Sequence, residues 1–564
     1  MPRAALTAAL AVSLFHVAPL RAQGACDGRP IRAIQIDART IYSDDDSVIP
    51  GVVRGLVNFF HTQTTAETIR RDLLFAVGDA CDPSRLAETE RLLRARAYIR
   101  SATVVPVATG DGGVRILVQT RDELSLEVRL RLRGDGFPVK RLVVTEDNVF
   151  GRGLHLQTFY NDFGRRPAYY ADAEEHHFLG RRIEAEVMAG KSEVGPVAEE
   201  TIRRAFESEF DRVAWRESVR YRKEPFTLVS PTLGSILEPQ LSIGADAGAA
   251  WRIGVPGALR ILGAVLSAER VLVQGAPLAP TPDLDSAAAA ALAGRFEERR
   301  LVRLHVLLGA RKLAFHPHIG LDAVHALEDV PEGSEVGLVL GRSLFGGAGL
   351  QHDWFAASEF ASGTELGRGS ILFSRAKVEG RYLTADGRWD GVLADGQLAV
   401  YESGHRATTV LDVEAAGGWG TRTPFQLLLA GPSGLRGYGS SALPVGQRIV
   451  VHLEQRYFLG QVFGAADVGA ATFAEAGRGW AGDAIFGQNT GLIATVGAGL
   501  RVALPRGSRR TWRLDIAIPL SRGLGPELRL GVGQQFGIFN GEPQDVVRSR
   551  ERISSVTVFD FPRF

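Results

Sequence analysis

Alternation with a period of two runs through most of this chain and limits what it can fold into. In a strand, Leu124, Leu126, Val128, Leu130 and Leu132 would face one way, and Ser125, Glu127, Arg129, Arg131 and Arg133 the other. The pattern returns in Ile183, Ala185 and Val187 against Arg182, Glu184 and Glu186. It returns again in Val302, Leu304, Val306 and Leu308 against Arg303 and His305, and in Trp512, Leu514, Ile516 and Ile518 against Thr511, Arg513 and Asp515. One such strand fits a soluble sheet that solvates one face. Many segments of about ten residues, parted by Gly, Pro and Asp turns, predict a transmembrane β-barrel instead. Outward residues then meet lipid, and closure spares the edge strands from leaving backbone groups unpaired there. The low-complexity stretch Ala276–Ala293 reads as a loop between strands.

The first residues follow a different logic. Arg3, the apolar run Ala4–Val17, Pro19 and the small residues Ala22, Gly24 and Ala25 form the layout of a secretory signal peptide, residues 1–25. The run is too short to make a good membrane span. A net charge of +1 gives no reason to expect nucleic acid as a partner. The only cysteines are Cys26 and Cys81, and in an oxidising compartment the pair reads as one disulfide, with two free thiols as the alternative.

Residues 26–122 read as a small α/β domain. Ile31–Ile36 is strand-like. Thr64-Thr65-Ala66-Glu67 is a capping-box pattern that opens a helix with Ile69, Leu73 and Leu74 on its apolar face. Asp82-Pro83 supplies an N-cap and a first-turn proline for a second helix. Two strands follow, Ser101–Val107 and Val114–Thr120, across the turn Thr109–Gly113. The order is β-α-α-β-β, and it resembles a POTRA domain, the periplasmic module that precedes certain outer-membrane barrels. One copy is present. An insertion, residues 38–63, interrupts it with the acidic run Asp44–Asp46 and the apolar cluster Val52, Val53, Leu56, Val57, Phe59 and Phe60. The acidic run reads as a solvated loop and the apolar cluster as an extra helix packing on the small domain, with partner docking as the lesser reading.

Gly434-Leu435-Arg436-Gly437-Tyr438 places an arginine between glycines in a long loop. Held that way, a guanidinium is a rigid fork for carboxylates, and Glu454 and Glu475 are the candidates. Here a resemblance becomes specific. "NVFGRG" (Asn148–Gly153), "GPSGLRGY" (Gly431–Tyr438), "VHLEQRYF" (Val451–Phe458) and "FAEAG" (Phe473–Gly477) occur in the order found in the BamA/TamA superfamily of outer-membrane assembly and translocation barrels, the bacterial surface antigen type. "GAGLRVALPRG" and "LDIAIPL" are similar to its penultimate strands. "ELRLGVGQQF" is similar to its closing strand, with Gly531, Gly533 and the terminal aromatic Phe536. Glu475 stands where that pattern has aspartate.

The resemblance implies a mainly β protein, a 16-stranded antiparallel barrel over residues 123–536 behind one POTRA domain. It implies an arginine loop folded into the lumen, with Arg436 on Glu454 or Glu475 and with Gly434, Leu435, Gly437, Tyr438, Phe473 and Gly477 completing the motif. A C-terminal extension, residues 537–564, departs from the pattern, and Pro562 argues against its being a last strand. It is expected in the periplasm, in the lumen or along the small domain.

No catalytic constellation stands out. Gly431-Pro432-Ser433-Gly434-Leu435 lacks the last glycine of a nucleophile elbow. His176 and His177 are adjacent and, on a strand, would point to opposite faces. His316 and His318 share a side and read as loop or lumen residues. No enzyme activity, cofactor or metal is expected. The resemblance implies assembly, insertion or translocation of proteins, or of lipids, at the outer membrane. The bilayer and an unfolded client held by the POTRA domain would be the partners. A dedicated two-partner-type secretion pore and a passive structural barrel are the alternatives.

Overall fold

The structure, a computed structural model, describes residues 26–553 apart from 27, 44–47, 133–138, 164–165, 279–291, 293, 345–349, 368, 432–433, 440–442, 522, 535 and 540. The signal-peptide residues and the run Asp44–Asp46 lie outside the described residues.

The N-terminal unit comprises β1 (Ile31–Arg39), α1 (Gly51–Phe59), α2 (Ala66–Asp72), α3 (Pro83–Ala95), β2 (Ile99–Ala108) and β3 (Val114–Asp122). The sheet order is β1-β3-β2, with β1 parallel and β2 antiparallel to β3. Ile31, Ile69, Phe75, Leu86, Leu93, Tyr98, Ile116 and Val118 form its core. α2 starts one residue later than the Thr64/Glu67 pattern suggests. Thr65 is the cap and accepts from Thr68 N at 3.2 Å, while Glu67 pairs at the surface with Arg71. Thr64 N is drawn away to Asp122 at 2.8 Å. Asp82 caps α3, accepting from Ser84 N at 2.9 Å, with Pro83 as the first helical residue. Cys26 and Cys81 are joined as a disulfide. The helix α1 adds a third helix to the expected order and falls within residues 38–63.

The large sheet follows as β4 (Leu126–Leu132), β5 (Val139–Val149), β6 (Leu154–Phe163), β7 (Arg166–Glu175), β8 (Glu184–Lys191), β9 (Pro196–Arg204), β10 (Val213–Ser230), β11 (Gly234–Val255) and β12 (Ala258–Val273). It continues as β13 (Arg299–Ile319), β14 (Leu327–Ser343), β15 (Asp353–Gly367), β16 (Ser370–Leu383), β17 (Arg388–Ser403) and β18 (Ala407–Trp419). A two-residue pair, β19 (Leu427–Leu428) and β20 (Pro444–Val445), then braces a long loop. The sheet ends with β21 (Gln447–Val462), β22 (Ala466–Trp480), β23 (Ile493–Ala503), β24 (Trp512–Pro519) and β25 (Glu527–Val532). Among the described residues it has twenty strands in place of the sixteen that the resemblance implies. The physical reason is strand length. β4 and β8 take 7 and 8 residues where β11 takes 22, so the same chain holds more strands.

Each strand pairs antiparallel with the next, and β4 and β25 are neighbours in barrel order. Among the described residues no backbone register joins those two. What spans the seam is side-chain contact. Arg510, just before β24, donates to Leu124 O at 3.0 Å and pairs with Asp147 of β5. The expected face alternation is present: Leu304, Val306 and Leu308 are exposed on the outer face, while Arg303 and His305 are buried inside.

The N-terminal unit caps one end of the sheet. Thr65 N donates to Gly151 O at 3.0 Å, and Tyr42 Oη to Ala465 O at 2.6 Å. Glu209 N donates to Glu88 at 2.8 Å, Arg94 pairs with Asp329 at 2.8 Å, and Arg509 donates to Arg96 O and Ile99 O at 3.1 Å. These partners sit on turns or strand ends spread around that end. The most buried of the contacts is Asp72, held by Arg96 at 2.5 Å and by His177 at 3.0 Å. Burial alone would raise the Asp72 carboxyl, but Arg96 and His177 hold it well below the usual carboxylate range.

The chain's end corrects the expectation for Phe536. β25 stops at Val532, and Gly533 takes φ +76°, a left-handed turn that glycine adopts without strain. Phe536 is therefore off the closing strand and buried inside the sheet, and the chain runs on there to α4 (Gln544–Ile553).

Candidate functional site: the arginine loop inside the sheet

The loop between β18 and β21 folds back against the inner face of the late strands. Leu435 N donates to Leu429 O at 3.0 Å, closing a tight backbone turn in which Gly434 brings the chain against Leu429. Gly437 takes φ +84°. Tyr438 Oη donates to Ala494 O at 2.8 Å, and Thr495 Oγ1 donates to Arg436 O at 2.7 Å. The loop is thus pinned to the start of β23 at Arg436 itself and two residues beyond it.

Arg436 is fully buried. Its backbone N–H donates to Glu475 Oε2 at 2.9 Å and its Nε to Glu475 Oε1 at 2.7 Å. Nη2 reaches Glu454 at 3.1 Å and Nη1 reaches Asp515 at 3.1 Å. The guanidinium carbon lies 3.4 Å from the centroid of the Phe473 ring, a cation–π contact that covers one face of the fork. Gly477 supplies the hollow for the loop: a Cβ there would stand 3.1 Å from both Leu429 Cδ1 and Leu435 Cδ1. The arginine and both expected carboxylates are brought together, with the rest of the loop and strand motifs around them.

Sequence reasoning missed the residues beyond this pair. Asp515 is the third anion, and it also receives Arg501 at 2.6 Å. Glu454 is shared with Arg456 at 2.9 Å, and Glu475 with His452 at 3.0 Å. The signal was strand parity. His452, Glu454 and Arg456 alternate on one face of β21, and Asp515 already stood on the inward side of its segment. Which inward residues meet depends on register across four strands, which parity does not provide.

The tail joins the same network. Phe536 stacks on His452 with ring centroids 4.4 Å apart, and its carbonyl accepts from Arg456 at 3.2 Å. Arg456 also pairs with Asp322 at 2.8 Å, which receives Phe539 N at 3.1 Å. Farther along, Asp545 accepts from Arg448 at 2.5 Å and from Leu428 N at 2.9 Å, tying α4 to the arginine loop. Arg550 pairs with Glu379 at 2.9 Å, and with Asp395. Loop and tail together lie against the inner side of β16, β17 and β21. Gly531 lies in β25 beneath the Arg513 guanidinium.

Among the described residues two groupings carry metal-ligand types, Glu174/His176/Glu184 and Asp412/Glu414/His452, each with donor atoms within 4.8 Å. In the first, Arg203 already pairs with both carboxylates. In the second, His452 Nδ1 is engaged by Glu475 and Asp412 by Gln397. Their carboxylates and imidazoles have uses within the protein, and neither set is assigned a metal. His176 and His177, expected on a strand, lie in the turn after β7; His176 meets Glu174 and Glu184, and His177 binds Asp72.

No family model matches the chain, and no curated protein matches it. Solved structures similar to it include BamA from Haemophilus ducreyi lacking POTRA domains 1–3, at 11% identity and TM-score 0.34, covering 89% of this chain and 83% of that one. CdiB from Escherichia coli is 12% identical at TM-score 0.39, covering 89% and 75%. OccK5 (OpdH) from Pseudomonas aeruginosa is 11% identical at TM-score 0.30, covering 72% and 94%. Likenesses of this size assign no family, and the functional reading rests on the geometry above.

Proposed function

We propose that this chain is an outer-membrane β-barrel that acts in the assembly, insertion or translocation of proteins, or of lipids, with its N-terminal unit a POTRA-type domain on the periplasmic side. Support for the membrane comes from the outer face, where apolar residues such as Leu304, Val306, Leu308, Ile516 and Ile518 stand exposed strand after strand. In water so much exposed apolar surface would drive association, whereas in lipid it is at rest.

The observation that carries the functional reading is the Arg436 clasp. The loop held on three carboxylates, with the tail and the capping unit beside it, lies where an aqueous path would run. An inner space occupied in this way favours a route along the sheet rather than through it. Short β25, six residues long, would be the labile side of such a route, with Gly531 weakening its pairing to β24. In the N-terminal unit, β2 pairs with β3 on one side and exposes Val105 and Val107, an edge suited to holding an extended client strand.

The test is depletion of the protein followed by proteomic and lipid analysis of the outer membrane. Loss of several outer-membrane proteins, or a changed lipid composition, is expected. Loss of one exported protein alone would favour a dedicated secretion pore. An unchanged membrane would refute the assembly reading in favour of a passive barrel.

A further inference from the structure

The helix α1 is apolar around most of its circumference, and only part of that surface is used. Val57 is buried and Val53 half-buried, and with Ile41, Tyr42 and Ile49 they pack on Ala465 and Leu124. Asn58 Nδ2 donates to Tyr42 O at 2.8 Å and fixes the helix to the preceding turn. The opposite side carries Val52 and Phe59, 84% and 80% exposed, with Leu56 between them at helical spacing. Val48 and Phe60, just outside the helix, are exposed as well. The charged residue within the helix is Arg54, which donates back to Ser43 O at 3.2 Å. A helix face this apolar belongs in a core or in lipid, and α1 has a core on one side alone.

Its position indicates what covers the other side. The anchor Ala465 lies in the turn between β21 and β22, and Val48 stands against Gly464 of that turn. Beside it Leu459, Val462 and Phe463 are exposed, and Ile449, Leu453 and Tyr457 continue an exposed apolar stripe up the outer face of β21. The helix α1 therefore sits at the end of that outer stripe, and its own exposed apolar face carries no charged residue. At 9 residues the helix is far too short to cross a bilayer. We propose that α1 lies in the membrane surface at the capped end of the sheet, its Val52–Leu56–Phe59 face set at the boundary of headgroups and acyl chains. The inference rests on the membrane reading of the barrel. It gives α1 a purpose: it fixes the N-terminal unit to the bilayer as well as to the sheet.

Site-directed spin labelling tests this in the full chain. Both native cysteines are disulfide-bonded, so one introduced thiol is labelled alone. Phe59→Cys reads the helix, Leu266→Cys the outer face of β12, and Glu67→Cys an exposed site on α2. Each labelled protein is reconstituted into phospholipid vesicles and exposed to oxygen and to a water-soluble nickel complex. The expected result is that positions 59 and 266 are relaxed by oxygen and shielded from nickel, while position 67 shows the reverse. Nickel access at 59 equal to that at 67 overturns the proposal. Shielding of 59 from both reagents also overturns it, since a protein surface or a second copy then covers the helix. Nickel access at 266 as well would instead sink the membrane reading itself.

Discussion

Replacing Arg436 with alanine removes a side chain that donates to Glu475, Glu454 and Asp515. The consequences for the three carboxylates differ. Glu454 keeps Arg456 and Asp515 keeps Arg501, but among the described residues Glu475 is left with the imidazole of His452. Breaking a buried pair so that a charge is stranded costs about 3–5 kcal/mol. Two of the three anions remain neutralised, so the loss should sit near the lower figure. At about 1.4 kcal/mol per factor of ten, a loss of ~3 kcal/mol raises the open population of the loop roughly a hundredfold. Hydrogen exchange reads this directly. The Leu435 amide, bonded to Leu429 O at 3.0 Å, and the Arg436 amide, bonded to Glu475, should exchange faster by that factor, while mid-strand amides of β21 and β22 change little. Adding Glu475→Gln removes the stranded charge and should recover about 1–2 kcal/mol of the loss, a coupling of the size found between contacting residues. Exchange at Leu435 within about threefold of wild type, below ~1 kcal/mol by the same conversion, would refute the reasoning. So would a double variant no better than Arg436→Ala alone.

Further outcomes follow from the tail, the capping contacts and the disulfide. Truncation after Pro543 removes the Asp545–Arg448 and Arg550–Glu379 pairs and should raise ion conductance in planar bilayers. Unchanged conductance would show that α4 does not block the inner space. Asp72→Asn leaves Arg96 with Glu207 and should loosen the N-terminal unit by about 3 kcal/mol, seen as faster limited proteolysis between α2 and β2. The sign of its pH dependence is set by the depressed Asp72 carboxyl. That group's contribution is complete above its ordinary pKa of about 4 and is lost as pH falls through the lower folded value. Proteolysis of the wild type should therefore stay slow at mildly acid pH, and Asp72→Asn should abolish any protection lost in stronger acid. Cys81→Ser opens a cross-link between residues 55 apart, worth about 4 kcal/mol in the chain-entropy model, and the N-terminal unit should then melt at a lower temperature than the sheet.

By itself, the sequence determined whatever depends on local period and on which side chains a segment carries. Alternation marked the strands and the inward set, including Arg303, His305 and Asp515, because side-chain direction in a strand follows parity alone. Asp82-Pro83 marked the start of α3 because a cap is a local hydrogen bond. The glycines around Arg436 marked a loop that could aim a charge. Tertiary structure decided what depends on register and on competition for partners. Twenty strands replaced sixteen because strand length is settled by pairing, which residue period does not record. Thr65 rather than Thr64 capped α2 because Thr64 is engaged from far away in the chain, its amide donating to Asp122 and its hydroxyl accepting from Asn148. Phe536 left the closing strand because Gly533 turned the chain toward His452 and Arg456 of β21, a strand some eighty residues earlier in the chain. The clasp itself was half legible. Glu454 and Glu475 could be named from the chain, whereas Asp515, Arg501 and the tail entered through contacts among strands far apart in sequence.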